Sequence, residues 1–311
     1  MTNKQDTTIS ISVTENDFIK ACSLSPIYSS HKDLTFSSRT TNRPSFILAG
    51  WTDHFSSNRI QVFGRTEMTY LDTLPSTIAS ERLDWLCSKK VPCIIISRNI
   101  KPPEALLIAA KKYDVPLFSS KNLTPKLIHG LFTYLNDLLA PTDTLHGVLL
   151  DVFGIGVLIT GKSGIGKSET ALELVHRGNR LVSDDIVDIK NISGSLYGTS
   201  PTITSEMMEV RGLGIMNIRA VYGIGAVLKR KRIHVVIELE EWDNFKDYVR
   251  TGGTHYTAKI LGEEIPRYVI PVIPGRNIAI LIEAAVSDFR LREESYNPLD
   301  EIDRRMHYLD T

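Results

Sequence analysis

Eight consecutive residues, Gly161, Lys162, Ser163, Gly164, Ile165, Gly166, Lys167 and Ser168, constrain this chain more than any others. They fit the spacing G-x-x-x-x-G-K-[ST] without a gap. Val157-Leu158-Ile159-Thr160 before them read as a short buried strand, and Glu169 to Arg177 after them as a helix that stops at Gly178. In a strand–loop–helix setting the glycines let backbone N–H groups converge on phosphate oxygens, and the helix N-terminus adds partial positive charge. Lys167 would reach the terminal phosphates of a nucleotide, and the Ser168 hydroxyl would hold a magnesium ion. A Gly-rich turn that merely matches the pattern is the plainer alternative, and the flanking strand and helix weigh against it.

Two β-runs, Gly147 to Val152 and Gly156 to Thr160, are separated by Phe153-Gly154-Ile155. That spacing predicts a hairpin, so the strand that feeds the phosphate loop should have an antiparallel neighbour. Leu181-Val182-Ser183-Asp184-Asp185 reads as a short strand ending in two carboxylates. Beside a phosphate loop such a pair allows one acid to face metal or water and the other to act as a general base. The competing reading is an ordinary Asp-rich strand end. Val235-Val236-Ile237-Glu238-Leu239-Glu240 is a rival strand with acids, and its alternation suggests a solvated sheet edge. Glu209-Val210-Arg211-Gly212-Leu213-Gly214-Ile215 could complete a magnesium site through its carboxylate, or could be a salt-bridged glycine turn. Asn-Lys-x-Asp occurs only at Asn3 to Asp6, and the Asp-x-x-Gly at Asp151 to Gly154 also precedes the phosphate loop; both lie on the wrong side of it for a GTPase, which disfavours such a switch. Arg250, before Thr251-Gly252-Gly253, and Arg276, in the turn Pro271-Val272-Ile273-Pro274-Gly275-Arg276, are candidate cations for phosphoryl charge. Pro298 to Leu309 reads as an amphipathic helix.

The 311 residues suggest two domains, with the boundary at Pro141 to Leu145: 1–140 and 141–311. Lys+Arg and Asp+Glu both number 36, so no global field favours nucleic acid or an anionic membrane. The apolar stretch near Ile278 to Val286 is short and broken by Glu283, and Met1 to Ser10 has no apolar core. Cys22, Cys87 and Cys93 show no C-x-x-C pairing, which fits a reducing cytosol and argues against a zinc site. A soluble cytoplasmic protein is expected.

The first half alternates strand and helix patterns. Strands are predicted at Ser45 to Ala49, Arg59 to Phe63, Cys93 to Ser97 and Val115 to Ser119. Helices are predicted at Asp17 to Ser23, Ser76 to Lys90, Glu104 to Tyr113, and from a Thr124 cap with Pro125 in the first turn to about Leu139. This rhythm implies a three-layer α/β domain with a mostly parallel sheet. His31, His54 and His129 stand alone, and no chemistry is legible in this half, which reads as a scaffold, regulatory or assembly domain.

Leu145-His146-Gly147, the loop Gly161 to Ser168, Ser183-Asp184-Asp185 and Glu209 to Ile215 together resemble the HPr kinase/phosphorylase family. The resemblance implies a bifunctional enzyme that phosphorylates a serine of the phosphocarrier protein HPr with ATP. It would remove that phosphate with inorganic phosphate, releasing pyrophosphate, and so regulate carbon catabolite repression and sugar uptake. It further implies that Asp185 is the general base and, in reverse, the proton donor. His146 and Lys167 would be active-site positions, Ser168 and Glu209 magnesium ligands, and Arg250 the catalytic arginine. Asp184, Arg211, Gly212 and Gly214 belong to the matched motifs, and Pro271, Pro274, Gly275 and Arg276 to a segment tied to dephosphorylation. The family implies a C-terminal P-loop kinase domain similar to the phosphoenolpyruvate carboxykinase core, a homohexamer, and control by fructose 1,6-bisphosphate and phosphate. A small-molecule kinase sharing this core and a non-catalytic nucleotide sensor are the alternatives.

Overall fold

The structure is a computed structural model that describes residues 10–243, 256–294 and 304–305. It divides into two compact units between Ala140 and Pro141. The first runs β1 (Ile11–Val13), α1 (Glu15–Cys22), β2 (Ser25–Tyr28), β3 (Leu34–Phe36), α2 (Ser45–Leu48), β4 (Gln61–Phe63), α3 (Arg65–Thr73), α4 (Ser76–Ser88), β5 (Ile94–Ile96), α5 (Glu104–Tyr113), β6 (Leu117–Ser119) and α6 (Thr124–Leu138). Its main sheet has the order β2-β6-β5-β4, with β4, β5 and β6 parallel and β2 antiparallel.

The pleat of β5 explains the three layers. Successive side chains point to opposite faces, so Ile94 and Ile96 enter the core under α2 to α5, while Ile95 enters the core with Phe18 of α1 and Leu127, Leu131 and Leu135 of α6. Burial on both faces accounts for the unbroken Ile94-Ile95-Ile96 run. Ser45 to Ala49 is a correction: it forms the short helix α2, not a strand. Leu48 N–H donates to Pro44 C=O at 2.9 Å, and Ile47 and Leu48 are buried against the helical layer, so tertiary packing overrides local β propensity. The cap of α6 is Leu123; the Thr124 hydroxyl instead shares a 2.7 Å hydrogen bond with Ser97.

The second unit continues with β7 (Thr142–His146), β8 (Val148–Val152), β9 (Ile155–Gly161), α7 (Lys167–His176), β10 (Arg180–Ser183), β11 (Ile186–Ile192), β12 (Ser195–Thr199), β13 (Met207–Val210), β14 (Gly214–Asn217), α8 (Ile218–Tyr222), β15 (Arg230–Arg232), β16 (Val235–Glu241), β17 (Tyr256–Ile260), β18 (Glu263–Val272) and α9 (Ile278–Glu293). The expected boundary segment, Pro141 to Leu145, is thus largely strand β7. The central sheet has the order β10-β8-β9-β16-β18-β17, and a second sheet has the order β15-β12-β11-β7. One face of the central sheet packs on α7, α9 and the β13–β14 hairpin through Val148, Leu150, Val157 and Ile159. The other face packs on the second sheet through Leu149, Leu158, Val187 and Leu196.

The predicted hairpin is present: β8 and β9 pair antiparallel across Phe153-Gly154, both at positive φ (52° and 87°), as a two-residue turn of the right twist requires. The reading of β16 as a solvated edge is corrected. It lies between β9 and β18, parallel to both, with Val235, Val236, Ile237 and Leu239 buried. Its acid Glu238 is accommodated by Arg267 of β18, whose Nη1 donates at 2.8 Å. The Pro298 to Leu309 segment lies outside the described residues apart from 304–305, and Arg250 with Thr251-Gly252-Gly253 lies outside them altogether. Among the described residues no helix is long and apolar enough to cross a membrane. Cys22, Cys87 and Cys93 are free thiols, and burial pushes the first two up to about 12, which leaves them unreactive.

Candidate active site

The phosphate loop leaves the carboxyl end of β9 at Gly161 and enters α7 at Lys167. Gly161 sits at φ 139°, and a Cβ there would run into the carbonyl oxygen of Leu239 on β16, so this turn admits only glycine. Lys167 Nζ donates to the carbonyls of Gly161 (2.9 Å) and Lys162 (3.0 Å), which holds the ammonium across its own loop. Lys162 pairs with Glu241 at 3.6 Å. The helix ends as its sequence predicts, with Gly178 at φ 95° and its N–H donating to Val175 C=O.

The adjacent acids after β10 occupy opposite environments. Asp184 is only 5% exposed; it accepts the Ser168 hydroxyl at 2.9 Å on Oδ1 and the Glu209 N–H at 3.2 Å on Oδ2. Burial pushes its carboxyl above the ordinary value despite these two hydrogen bonds. Asp185, at φ 66°, turns its side chain out, 76% exposed, with Oδ1 3.9 Å from His146 Nδ1. The backbone fixes that approach: β7 and β11 pair with Ile186 opposite His146, and Gly147 N–H donates to Asp185 C=O at 2.9 Å. Ordinary turn chemistry would leave both acids solvated; here one is buried against the loop helix and its neighbour is free to meet a substrate.

Glu209 is the last residue but one of β13 and pairs with Ile215; Arg211 and Gly212 lie in the hairpin turn and Gly214 opens β14, with positive φ at both glycines. The Arg211 guanidinium lies against the phosphate loop: a Cβ on Gly164 would stand 3.1 Å from its Nη2. The carboxyl ends of β9, β16 and β18 are level, with Gly161 opposite Leu239 and Pro271 opposite Glu240. Pro274, Gly275 and Arg276 then turn back toward α7, where Arg276 and Gly275 line a cleft with Glu169 and Thr170, and Asn277 Nδ2 donates to Glu173 at 2.6 Å. Of the residues that the sequence singles out, the structure brings Ser168, Asp184 and Glu209 together and sets His146 beside Asp185, while Arg250 lies outside the described residues; the position of Arg211 over Gly164 and the backbone tie between Gly147 and Asp185 are additional. Neither leaves a signal in residue spacing.

The hydroxyl of Ser168 and the carboxylates of Asp184 and Glu209 are hard oxygen donors of the kind magnesium takes. Among the described residues no group of three or more His, Cys, Asp or Glu side chains could hold a metal by itself. Few protein oxygens suit an ion that takes the rest of its coordination from phosphates and water.

The family model described as the HPr Serine kinase C-terminal domain matches residues 137–306, and that of the HPr Serine kinase N terminus matches residues 13–135. The HPr kinase/phosphorylase of Alkaliphilus metalliredigens is 47% identical over 274 residues, 88% of this chain and 89% of that protein. The HPr kinase/phosphorylase of Clostridium perfringens (strain SM101 / Type A) is 44% identical over 295 residues, 94% of this chain and 96% of that protein. A solved structure of the Hpr(Ser) kinase/phosphatase from Coxiella burnetii, 33% identical, aligns with 53% of this chain and 98% of that one at a TM-score of 0.47. On the two family matches and these identities, the chain belongs to the HPr kinase/phosphorylase family.

Proposed function

We propose that this chain transfers the terminal phosphoryl group of ATP to a serine of HPr and removes it again by phosphorolysis with inorganic phosphate. The observation that carries the reading is the division of labour between Asp184, buried on Ser168, and Asp185, exposed beside His146. Asp185 takes the proton of the serine hydroxyl as its oxygen attacks the γ-phosphorus, and ADP leaves. In the other direction a phosphate oxygen attacks the phosphoserine phosphorus, the bond to the serine oxygen breaks, and protonated Asp185 returns the proton to that oxygen. The products are HPr and pyrophosphate, so one carboxyl serves both directions.

Magnesium, when bound, would neutralise phosphate charge, and Ser168 with Glu209 would hold it while Asp184 orients the Ser168 hydroxyl. The loop from Gly161 to Ser168 binds the phosphates, Lys167 offsets their charge, and Arg211 is near enough to Gly164 to assist. Arg250 is the catalytic arginine of this reading, and Pro271 to Arg276 serve the phosphorolytic direction. Leu213 and Ile215, exposed on the hairpin that carries Glu209, suit contact with a protein substrate better than with a small metabolite. The N-terminal unit, residues 1–140, is assigned to assembly or regulation. A cytoplasmic homohexamer controlled by fructose 1,6-bisphosphate and phosphate rests on family membership alone.

Incubation with purified HPr, ATP and magnesium, followed by mass spectrometry, should add one phosphate to an HPr serine. Excess inorganic phosphate should then regenerate HPr and release pyrophosphate. Transfer to a metabolite with none to HPr would favour the small-molecule kinase.

A further inference from the structure

None of the residues placed in the active site lines a cavity of about 640 Å³ within the N-terminal unit. It opens at the carboxyl ends of the parallel strands: Arg65 and Thr66 follow β4, Arg98 follows β5, and Thr124 and Pro125 begin the helix after β6. Open α/β sheets bind ligands at that end, where the connecting loops diverge. The volume falls within the range of small-molecule sites.

The charge of the cavity is one-sided. Arg43, Arg65, Arg98 and His129 line it, and no Asp or Glu does. Arg43 is already matched, its Nη2 2.8 Å from buried Glu67, which also accepts the Gly64 N–H at 2.8 Å. Arg65 and Arg98 have no side-chain partner among the described residues. Two unmatched guanidiniums in one concavity repel each other and make a positive field that an anion cancels. Arg98 is moreover held in the left-handed region (φ 63°) by its N–H to Asn122 C=O (3.0 Å), and Asn99 (φ 50°) by its N–H to Ser120 C=O (2.9 Å). Backbone forced into that region at a strand end is a feature of ligand-holding turns. The apolar part of the lining comes from α6, with Pro125, Ile128 and an exposed Phe132 beside His129.

We propose that this cavity binds a phosphate monoester carrying an apolar or aromatic group. Arg65 and Arg98 take the phosphoryl oxygens in the forked geometry that guanidinium gives, and the organic group lies against Ile128 and Phe132. The site is independent of the kinase reading and shares no residue with it.

The test follows hydrogen exchange of the full-length protein during titration with phenyl phosphate and, separately, with inorganic phosphate. Saturable slowing of exchange is expected over residues 64–68, 97–100 and 123–132, at a lower concentration of phenyl phosphate than of phosphate. Arg65→Gln combined with Arg98→Gln should weaken the midpoint for these segments by about tenfold or more, whereas Lys167→Ala should leave it unchanged. No slowing in these segments, or the same midpoint in the folded double variant, overturns the site. Equal midpoints for the two probes overturn the apolar half of it. Exchange of the unsubstituted protein decides the question even where the double variant does not fold.

Discussion

Ser168 donates its hydroxyl to Asp184 across 2.9 Å, and that one bond ties the first turn of the phosphate-loop helix to the end of a strand on the far side of β8. The same carboxylate accepts the backbone N–H of Glu209. Asp184 therefore fixes two proposed magnesium ligands at once, from helix α7 and from the β13–β14 hairpin. Its burial, which raises its pKa, is the cost of occupying that junction.

Replacing Asp184 with Asn keeps the volume but supplies only one acceptor where two donors converge. Groups that orient metal ligands typically matter by about 10- to 100-fold in affinity or activity. Asp184→Asn should raise the magnesium concentration needed for half-maximal HPr phosphorylation by that order, with Ser168→Ala acting in the same direction. An unchanged magnesium dependence in both variants would remove this corner from the metal site.

Asp185→Asn should behave differently, because its side chain is exposed and supports no buried contact. Loss of a general base typically lowers turnover by about 10²- to 10⁴-fold. Nucleotide affinity and thermal stability should stay near those of the parent, and kinase and phosphorylase rates should fall together. Retention of either activity would mean that a different group moves the proton in that direction. A chain that transfers no phosphate even before substitution is the outcome expected of a nucleotide sensor.

Much of the site was legible because its pieces are local. The loop Gly161 to Ser168, the two-residue turn at Phe153-Gly154 and the adjacent acids Asp184-Asp185 each follow from a few neighbouring residues. What spacing cannot convey is register. His146 meets Asp185 because β7 pairs with β11 across some forty intervening residues, and nothing in either segment states which partner it takes. The same limit explains β16: alternating Glu238 and Glu240 look like a solvated edge until Arg267 of β18 is brought alongside Glu238. Ser45 to Ala49 is too short for its period to speak, and packing of Ile47 and Leu48 decides in favour of helix. The basic cavity draws on Arg43, Arg65 and Arg98, separated along the chain and gathered only by the parallel sheet.

Gly161 offers a test of how closely the loop is built into the sheet. Alanine there meets both an unfavourable φ of 139° and the Leu239 carbonyl, whereas Gly166, at φ 100°, has open space where a Cβ would stand. Strained backbone alone costs on the order of 1–3 kcal/mol. Gly166→Ala should lose stability within that range, and Gly161→Ala should lose more, because β16 or the loop must move. Urea unfolding of the two variants measures the difference; equal losses would mean that the contact with Leu239 relaxes freely.

His234 couples the fold to pH at the base of the same strand. Its Nδ1 accepts the Gly156 N–H at 2.9 Å, and its backbone N–H donates to Gly156 C=O at 2.9 Å, so side chain and main chain together lock the residue before β16 to the start of β9. Burial, then the charges of Arg232 and Lys231, hold its pKa below the ordinary 6.5, with Asp151 opposing in part. A proton on Nδ1 would also remove the acceptor that Gly156 uses. The folded state thus binds the proton less readily than the unfolded chain. The stabilisation is fully present above about pH 6.5 and is lost as pH falls through the depressed folded-state pKa. Denaturation midpoints should therefore fall on moving from about pH 7 toward pH 5.5, before most carboxylates titrate. His234→Asn keeps an acceptor but cannot titrate; it should be less stable near neutrality through imperfect packing, yet flatter across this window. If the parent and His234→Asn midpoints decline in parallel, the acid sensitivity belongs to other groups and His234 only packs.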